Sequence, residues 1–296
     1  MNEKQRFSSE LIRTFVSNHP RTFEDNCYVY PVISRRAGGV SIGVNLNPDK
    51  SCNFSCVYCQ VDRSTRPPRQ EISLLRLREE LDEMLNYVTP EGLFTHPSFS
   101  HLPPQRRHVH DIAFSGDGEP TACPQFVDAV KLAAELRRER SLWMLKLVLI
   151  TNASLLDRAQ VEEGLAILDA NNGEIWAKLD AGTEDYFARI ARTPIKLQKI
   201  VDNICQTARK RPVVIQSLFM KINGQAPPPE ELEAYCERLN DIRANGGTVK
   251  LVQVYTIARP PAEYFVAPLS RAELISLGEL IRTRTGLPVA VFGPEG

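Results

Sequence analysis

The sequence predicts an α/β fold, a partial (β/α)6 TIM-like barrel of parallel strands. Short apolar segments alternate along the chain with longer segments in which apolar residues recur every third or fourth position. Six such strand–helix pairs require parallel strands joined by helical crossovers. A complete barrel of this kind has eight pairs in typically about 250 residues, so six pairs predict an incomplete barrel that is open on one side. A doubly wound sheet has the same local pattern and is the alternative.

The predicted elements follow the chain in regular order. The first strand begins at Val40, where apolar residues alternate with small or polar ones, and a cysteine-containing segment follows it directly. Ser73 is an N-cap candidate for the first helix, and Ser270 with Glu273 forms a capping box for the last. Helices and strands alternate after the cysteine segment at 74–88, 111–115, 126–136, 145–150, 157–169, 174–179, 195–210, 213–220, 229–244, 249–255, 270–285 and 288–292.

Composition limits the classes of protein that this chain can represent. We expect residues 1–38 to be an N-terminal extension of helix and loop and residues 39–296 to form the barrel domain. The 36 basic and 36 acidic residues give a net charge of zero, which gives no reason to expect nucleic acid or an anionic membrane as partner. The start lacks the apolar core of a signal peptide, and the most apolar run, 142–150, is too short to cross a membrane. We therefore expect a cytoplasmic protein.

Three of the seven cysteines form a compact motif after the first strand. Cys52, Cys56 and Cys59 have the spacing C-x3-C-x2-C, which allows one loop to present three thiolates to one iron–sulfur cubane. The fourth iron would lack a protein ligand, and an open metal position is where substrate chemistry takes place. The alternative, a structural zinc site, needs a fourth ligand, and the sequence has no second cysteine or histidine pair of the usual spacing.

A glycine-rich turn follows the second strand. Its sequence is Ser115-Gly-Asp-Gly-Glu-Pro120, and glycine at Gly116 and Gly118 would let a ligand approach the backbone closely. Read alone, this segment could equally be a tight turn. Its position one strand after the cysteine loop favours a binding site, since the carboxyl ends of parallel strands meet at one end of a barrel.

These two motifs resemble those of the radical S-adenosylmethionine (SAM) superfamily. The cysteine spacing with Tyr58 just before the last cysteine resembles its signature, and the turn resembles its Gly-Gly-Glu-Pro motif, with Asp117 replacing the first glycine. The resemblance implies a radical SAM core with a [4Fe–4S] cluster on the three cysteines. Its open iron would bind SAM and cleave it reductively to methionine and a 5′-deoxyadenosyl radical. It also implies an electron donor such as flavodoxin or ferredoxin, and SAM contacts from Tyr58, Gly116, Asp117, Gly118 and Glu119.

Further candidates lie at later strand ends. Asn152 and Ser154 could hydrogen-bond SAM, although an ordinary helix cap explains them equally well. The catalytic candidates are Lys178, Asp180, Tyr255 and Arg259, with Gln216 and Gln253 as further cavity-lining residues. Lys178 and Asp180 could instead be a structural ion pair. His96, His101, His108 and His110 fall in a proline-rich insertion, which we expect to be a surface loop and not a metal site.

Within the superfamily, the chain resembles the iron–sulfur oxidoreductase group akin to wyosine-base tRNA synthases. The shared segments include 151–154 and Lys178-Leu-Asp-Ala-Gly182. Those tRNA enzymes use a second cluster on upstream cysteines, whereas here only Cys27 lies upstream. We therefore predict a single cluster and an unidentified substrate, which is a small molecule, RNA or protein. The alternatives are a wyosine-like tRNA enzyme, an activase that makes a glycyl radical on a partner protein, and a zinc-stabilised binding module.

Overall fold

The computed structural model describes residues 21, 23–65, 67–68, 70–88, 92–259, 261 and 263–293, so most of the predicted N-terminal extension lies outside the described residues. The strands are β1 (Val29–Ser34), β2 (Gly39–Val44), β3 (Val109–Phe114), β4 (Lys146–Thr151), β5 (Gly173–Lys178), β6 (Val213–Leu218), β7 (Met220–Ile222), β8 (Val249–Tyr255), β9 (Val266–Pro268) and β10 (Val289–Phe292). The α-helices are α1 (Leu74–Tyr87), α2 (Phe126–Glu139), α3 (Ala159–Asp169), α4 (Glu184–Ala191), α5 (Leu197–Lys210), α6 (Pro229–Ala244) and α7 (Arg271–Thr285).

The strand order identifies the architecture. Within the described residues, the main sheet runs β1-β2-β3-β4-β5-β6-β8-β10, and only the β1–β2 pair is antiparallel. A doubly wound sheet reverses its strand order at a switch point, whereas this order never reverses. The sheet is therefore the curled, incomplete barrel that the sequence predicted, and the doubly wound alternative is wrong.

The helices lie in the crossovers between parallel strands, and their apolar faces pack with the strands in the main core. The predicted caps are present: the Ser73 hydroxyl accepts a hydrogen bond from the amide of Arg76, and Ser270 and Glu273 form the reciprocal capping box. The inner face of the barrel carries a separate small apolar layer made by Ala113, Val148, Trp176 and Val214. This layer separates the polar ends of the strands.

The structure differs from the predicted elements in three places. Residues 29–34 were expected to be helix or loop but form β1, because an antiparallel hairpin with β2 pairs their backbone groups at the edge of the sheet. The eight-residue helix α4 was missed because it is too short for a clear periodicity. The single strand predicted at 213–220 is divided into β6 and β7, and β7 pairs with β9 in a small second sheet.

The insertion that carries four histidines is more than a surface loop. Leu93, Phe94, Phe99 and Leu102 are buried and pack with Ile33 and Val40 in a small core of their own. The insertion therefore packs against the β1–β2 hairpin. Among the described residues, no helix is long and apolar enough to span a membrane.

Candidate active site

The carboxyl ends of the parallel strands surround one cavity of about 340 Å³. All three cysteines of the predicted motif line it, as do most of the other predicted residues: Tyr58, Gly116, Gly118, Glu119, Asn152, Lys178, Asp180, Gln216, Tyr255 and Arg259. Asp117, Ser154 and Gln253 are absent from the lining. The fold thus brings together residues that are more than 200 positions apart in sequence.

The cysteine loop is held by the end of α4. The amides of Ser55 and Val57 donate hydrogen bonds to the carbonyls of Ala191 (3.0 Å) and Ile190 (2.9 Å). A helix leaves its last carbonyls without partners inside the helix, so the loop satisfies groups that would otherwise need water. Phe54 adds an edge-on contact with Phe187 on the same helix. These contacts fix the backbone on both sides of Cys56.

A closed set of side-chain hydrogen bonds connects the cysteine loop to the end of β4. Asn152 Nδ2 donates to Asn53 Oδ1 (2.7 Å), and Asn53 Nδ2 donates to Ser154 Oγ (2.7 Å). Ser154 Oγ in turn donates to Asn152 Oδ1 (2.6 Å). Ser154 is fully buried, so it positions the loop from behind the cavity wall. Of the two residues predicted to contact SAM at this turn, only Asn152 lines the cavity.

The glycines of the 116–119 turn allow another part of the protein to approach closely. The sequence analysis expected them to allow the approach of a ligand instead. A Cβ on Gly118 would lie 1.8 Å from the carbonyl oxygen of Ser51, the residue before the first cysteine, and one on Gly116 would lie 2.3 Å from Asn45 Oδ1. Asn45 also exchanges hydrogen bonds with Asp117, whose carboxylate forms an ion pair with Arg21. The turn and the cysteine loop are therefore packed backbone to backbone.

Glu119 is a buried carboxylate with four donors. Its Oε1 accepts from Thr121 N (3.1 Å), Thr121 Oγ1 (2.6 Å) and Thr151 Oγ1 (2.6 Å), and its Oε2 accepts from Asn152 N (2.7 Å). Burial raises the pKa of the Glu119 carboxyl, and these hydrogen bonds oppose that effect. Glu119 therefore joins the ends of β3 and β4 across the cavity wall.

A second polar group connects the cysteine loop to β5 and β8. Tyr58 Oη donates to Asp180, and Lys178 Nζ contacts both Asp180 Oδ2 (3.2 Å) and Tyr255 Oη (2.8 Å). Burial disfavours the Lys178 ammonium, yet Asp180 and Tyr255 together outweigh it and raise the pKa of Lys178. Lys178 is thus held as a cation inside the cavity. The predicted ion pair with Asp180 exists, and it lines the site.

The cysteines suit an iron–sulfur cluster better than a single ion. All three are partly exposed, and Arg63 Nη2 donates to Cys59 Sγ (3.6 Å). Arg63 Nε is buried with no partner among the described residues, on the same guanidinium that contacts Cys59. In the described part of the chain, no three histidine, cysteine or acidic side chains converge to hold one ion. A cubane requires no such convergence, because each thiolate binds a different iron. The four histidines of the insertion likewise form no such group among the described residues.

Several residues of the cavity were missed from sequence. They are Arg21, Tyr30, Arg35, Arg36, Arg63, Asp111 and Trp176. Four of them lie in or before the β1–β2 hairpin, whose strand β1 was not predicted. Asp111 and Trp176 lie within predicted strands, where inward positions alternate with outward ones. That alternation was the available signal for these two residues.

Comparison with known proteins identifies the family. The family model described as the radical SAM superfamily matches residues 46–225, which is more than half of the chain and contains both motifs. The chain belongs to the radical SAM superfamily. Proteins of this superfamily use a [4Fe–4S] cluster and SAM, and the residues around the cavity fit both groups.

Solved structures with the same fold include two TYW1 entities. One is described as TYW1 with a lysine–pyruvate adduct bound (TM-score 0.53, 11% identity, 96% of this chain and 90% of that chain). The other is archaeal TYW1 (TM-score 0.50, 12% identity, with the same shares covered). At this identity the likeness concerns the fold. It agrees with the sequence resemblance to the wyosine-synthase group.

The curated relatives that match this chain give less information about function. A protein named GTPase Obg from Brachyspira hyodysenteriae is 28% identical over 181 residues, which are 60% of this chain and 23% of that protein. UPF0026 proteins from Helicobacter pylori strain 26695 and Methanocaldococcus jannaschii are 26% and 25% identical, over 83% and 80% of this chain. The chain spans 70% and 65% of their lengths.

We predict that Gly118→Ala costs the protein its iron. The new Cβ would overlap the Ser51 carbonyl, and backbone has no alternative rotamer, so the segment leading into Cys52 must move. Iron analysis after anaerobic purification should give less than half the wild-type content. Gly246→Ala is the control, because its Cβ meets nothing within 4 Å, and its positive φ of 82° adds a backbone cost that Gly118→Ala does not have. Full iron in Gly118→Ala would contradict this packing.

The raised pKa of Asp111 predicts that the stability of the folded protein depends on pH. Burial raises the pKa of its carboxyl from 3.8 to about 6, so the folded protein retains a proton that the unfolded chain releases. Stability from this group is complete below about pH 4 and is lost as pH rises to about 6. Asp111→Asn should therefore stabilise the protein by about 3 kcal/mol at pH 7.5 and by about half as much at pH 5. Thermal unfolding at both values tests this, and an equal difference at the two would contradict it.

Proposed function

We propose that the protein reductively cleaves SAM at a [4Fe–4S] cluster held by Cys52, Cys56 and Cys59, and uses the resulting radical on a substrate in the same cavity. The observation that supports this most directly is that the three thiols and both glycine-rich and asparagine turns face one cavity. When bound, the cluster supplies the electron that cleaves SAM to methionine and a 5′-deoxyadenosyl radical. The electron comes from a reduced protein donor such as flavodoxin or ferredoxin.

The chain's own residues prepare this site by positioning. The Asn53–Asn152–Ser154 hydrogen bonds and the Gly118–Ser51 contact hold the cysteine loop against the 116–119 turn. Gly116, Gly118 and Asn152 line the cavity, where the two glycines would offer backbone groups to the methionine part of SAM. Arg63 would stabilise the charge of the Cys59 thiolate by its N–H donor.

The substrate would occupy the side of the cavity formed by β5, β6 and β8. Lys178, Tyr255 and Gln216 line that side, and Tyr255 Oη lies 2.8 Å from Lys178 Nζ and 3.4 Å from Gln216 Oε1. Lys178 would act there as a fixed cation. A lysine attacks a carbonyl only as the neutral amine, and the raised pKa of Lys178 disfavours that form. Asp180 positions Lys178 and Tyr58.

The other candidate functions differ in what they require. A wyosine-like tRNA enzyme would need a second cluster, and of the remaining described thiols Cys123, Cys205 and Cys236 are buried while Cys27 is exposed. A glycyl-radical activase would need a surface that docks a partner protein. A zinc module is disfavoured because no three ligands converge on a single ion among the described residues.

Replacing Cys52, Cys56 and Cys59 together by Ala should abolish cluster binding. The wild-type protein should hold about four irons and four sulfides, and it should release 5′-deoxyadenosine from SAM when given dithionite. The triple variant should lose both properties because its loop has no thiolates. Retention of iron by the triple variant would contradict the proposed site.

The matched control replaces the other four cysteines, Cys27, Cys123, Cys205 and Cys236, by Ser. This variant should keep the full iron content and cleave SAM at the wild-type rate, because these thiols lie outside the cavity lining. Loss of about half the iron would show a second cluster. It would move the tRNA-modifying alternative to first place.

A further inference from the structure

Four arginines line the cavity, and one of them, Arg21, pairs with Asp117 of the glycine-rich turn. Arg35 and Arg36 lie in the turn between β1 and β2, Arg259 follows β8, and Arg21 precedes the hairpin. We call these four residues the arginine cluster. Three separate segments of the chain contribute to it, so it is a product of the fold and not of a basic run in the sequence.

Arg36 is oriented by aromatic rings. Its guanidinium carbon lies 4.9 Å from the centre of the Tyr255 ring and 5.8 Å from that of Trp176. Within the described residues it makes no hydrogen bond, and a guanidinium carries five N–H donors in a planar fork. The rings therefore hold the group over the cavity while its donors face whatever occupies the cavity.

Arg259 connects the cluster to the cysteine loop. Its Nη1 donates to Gln60 Oε1 (3.0 Å), and Gln60 directly follows Cys59. Burial, and then the charges of Arg21, Arg36 and Arg35, lower the pKa of Arg259 to about 10. The charges of these three arginines therefore reach Arg259, although burial contributes most to the shift.

Part of this charge is already balanced among the described residues, since Arg21 forms an ion pair with Asp117. Glu119 is occupied by four donors of the β3 and β4 ends, and Asp180 by Tyr58, Lys178 and the amide of Leu218. Asp111 lies close enough to Arg36 for their charges to interact, and its Oδ1 is buried and unsatisfied among the described residues. No hydrogen bond joins Arg36 to it.

We propose that the arginine cluster binds a phosphate group of the substrate. Guanidinium groups match phosphate oxygens in bidentate pairs, and Arg36 makes no hydrogen bond within the described residues while Arg35 and Arg259 line the same cavity. The inference deepens the proposed function, on which it rests for the statement that this molecule is the substrate. The reacting part of that molecule would lie in the same cavity, beside Lys178 and Tyr255.

The test is calorimetric titration with inorganic pyrophosphate at low ionic strength, using anaerobically purified protein. We expect binding that weakens at least tenfold in Arg36→Gln and in Arg259→Gln, because each removes a charge-assisted donor. Arg36→Lys should give an intermediate loss, since it keeps the charge without the fork. Arg158→Gln, an exposed residue before α3, is the control and should bind as wild type does. Thermal unfolding checks that each variant is folded.

The source of the phosphate is distinguished by two further ligands. Adenosine 5′-monophosphate that binds as well as a single-stranded oligoribonucleotide indicates a small phosphorylated substrate. Much tighter binding of the oligonucleotide, with a steep dependence on salt, indicates a nucleic-acid backbone. Absence of pyrophosphate binding, or binding that Arg36→Gln and Arg259→Gln leave unchanged, overturns the proposal. Pyrophosphate binding without iron in the wild type would instead contradict only the cluster assignment.

Discussion

The site depends on the docking of the cysteine loop against the last turn of α4. The loop has no regular secondary structure, so its shape comes from the carbonyls that the helix end leaves available at Ile190 and Ala191. Two backbone hydrogen bonds fix where Cys56 and its neighbours face, independently of their side chains. The close packing of Gly118 on Ser51 then sets the depth at which the loop sits. A change at either contact moves all three thiols together.

The two walls of the cavity differ in how their polar groups are satisfied. On the wall formed by β3, β4 and β5, Glu119, Asn152 and Asp180 use nearly all their hydrogen-bonding capacity within the protein. Such networks are rigid, since any displacement leaves a buried group without a partner. Where the β1–β2 turn meets β5 and β8, Arg36 contacts aromatic rings and keeps its donors for a ligand. One wall holds the geometry, and the other is suited to recognising a charged molecule.

The features of the fold and the site that could be predicted from the sequence are those with strong local signals. The seven parallel strands follow from periodicity, and the cysteines and the glycine turn follow from their spacing. The helix α4 and the strand β1 were not predictable, because one is short and the other gains its pairing only from β2. The sequence predicted a close approach to Gly118 but not the group that approaches, since only the tertiary structure places Ser51 against it. The arginine cluster was hidden because overall charge is neutral and its members come from separate segments.

The most direct test of the central claim is low-temperature electron paramagnetic resonance of the reduced, reconstituted protein, recorded before and after SAM is added. The account predicts one cluster signal whose g values shift when SAM binds, because the iron without a thiolate ligand faces the same cavity as the SAM-binding turns. A signal that SAM leaves unchanged would mean that the cluster has no open iron in this cavity. That result would contradict the assignment of Cys52, Cys56 and Cys59 to a catalytic site.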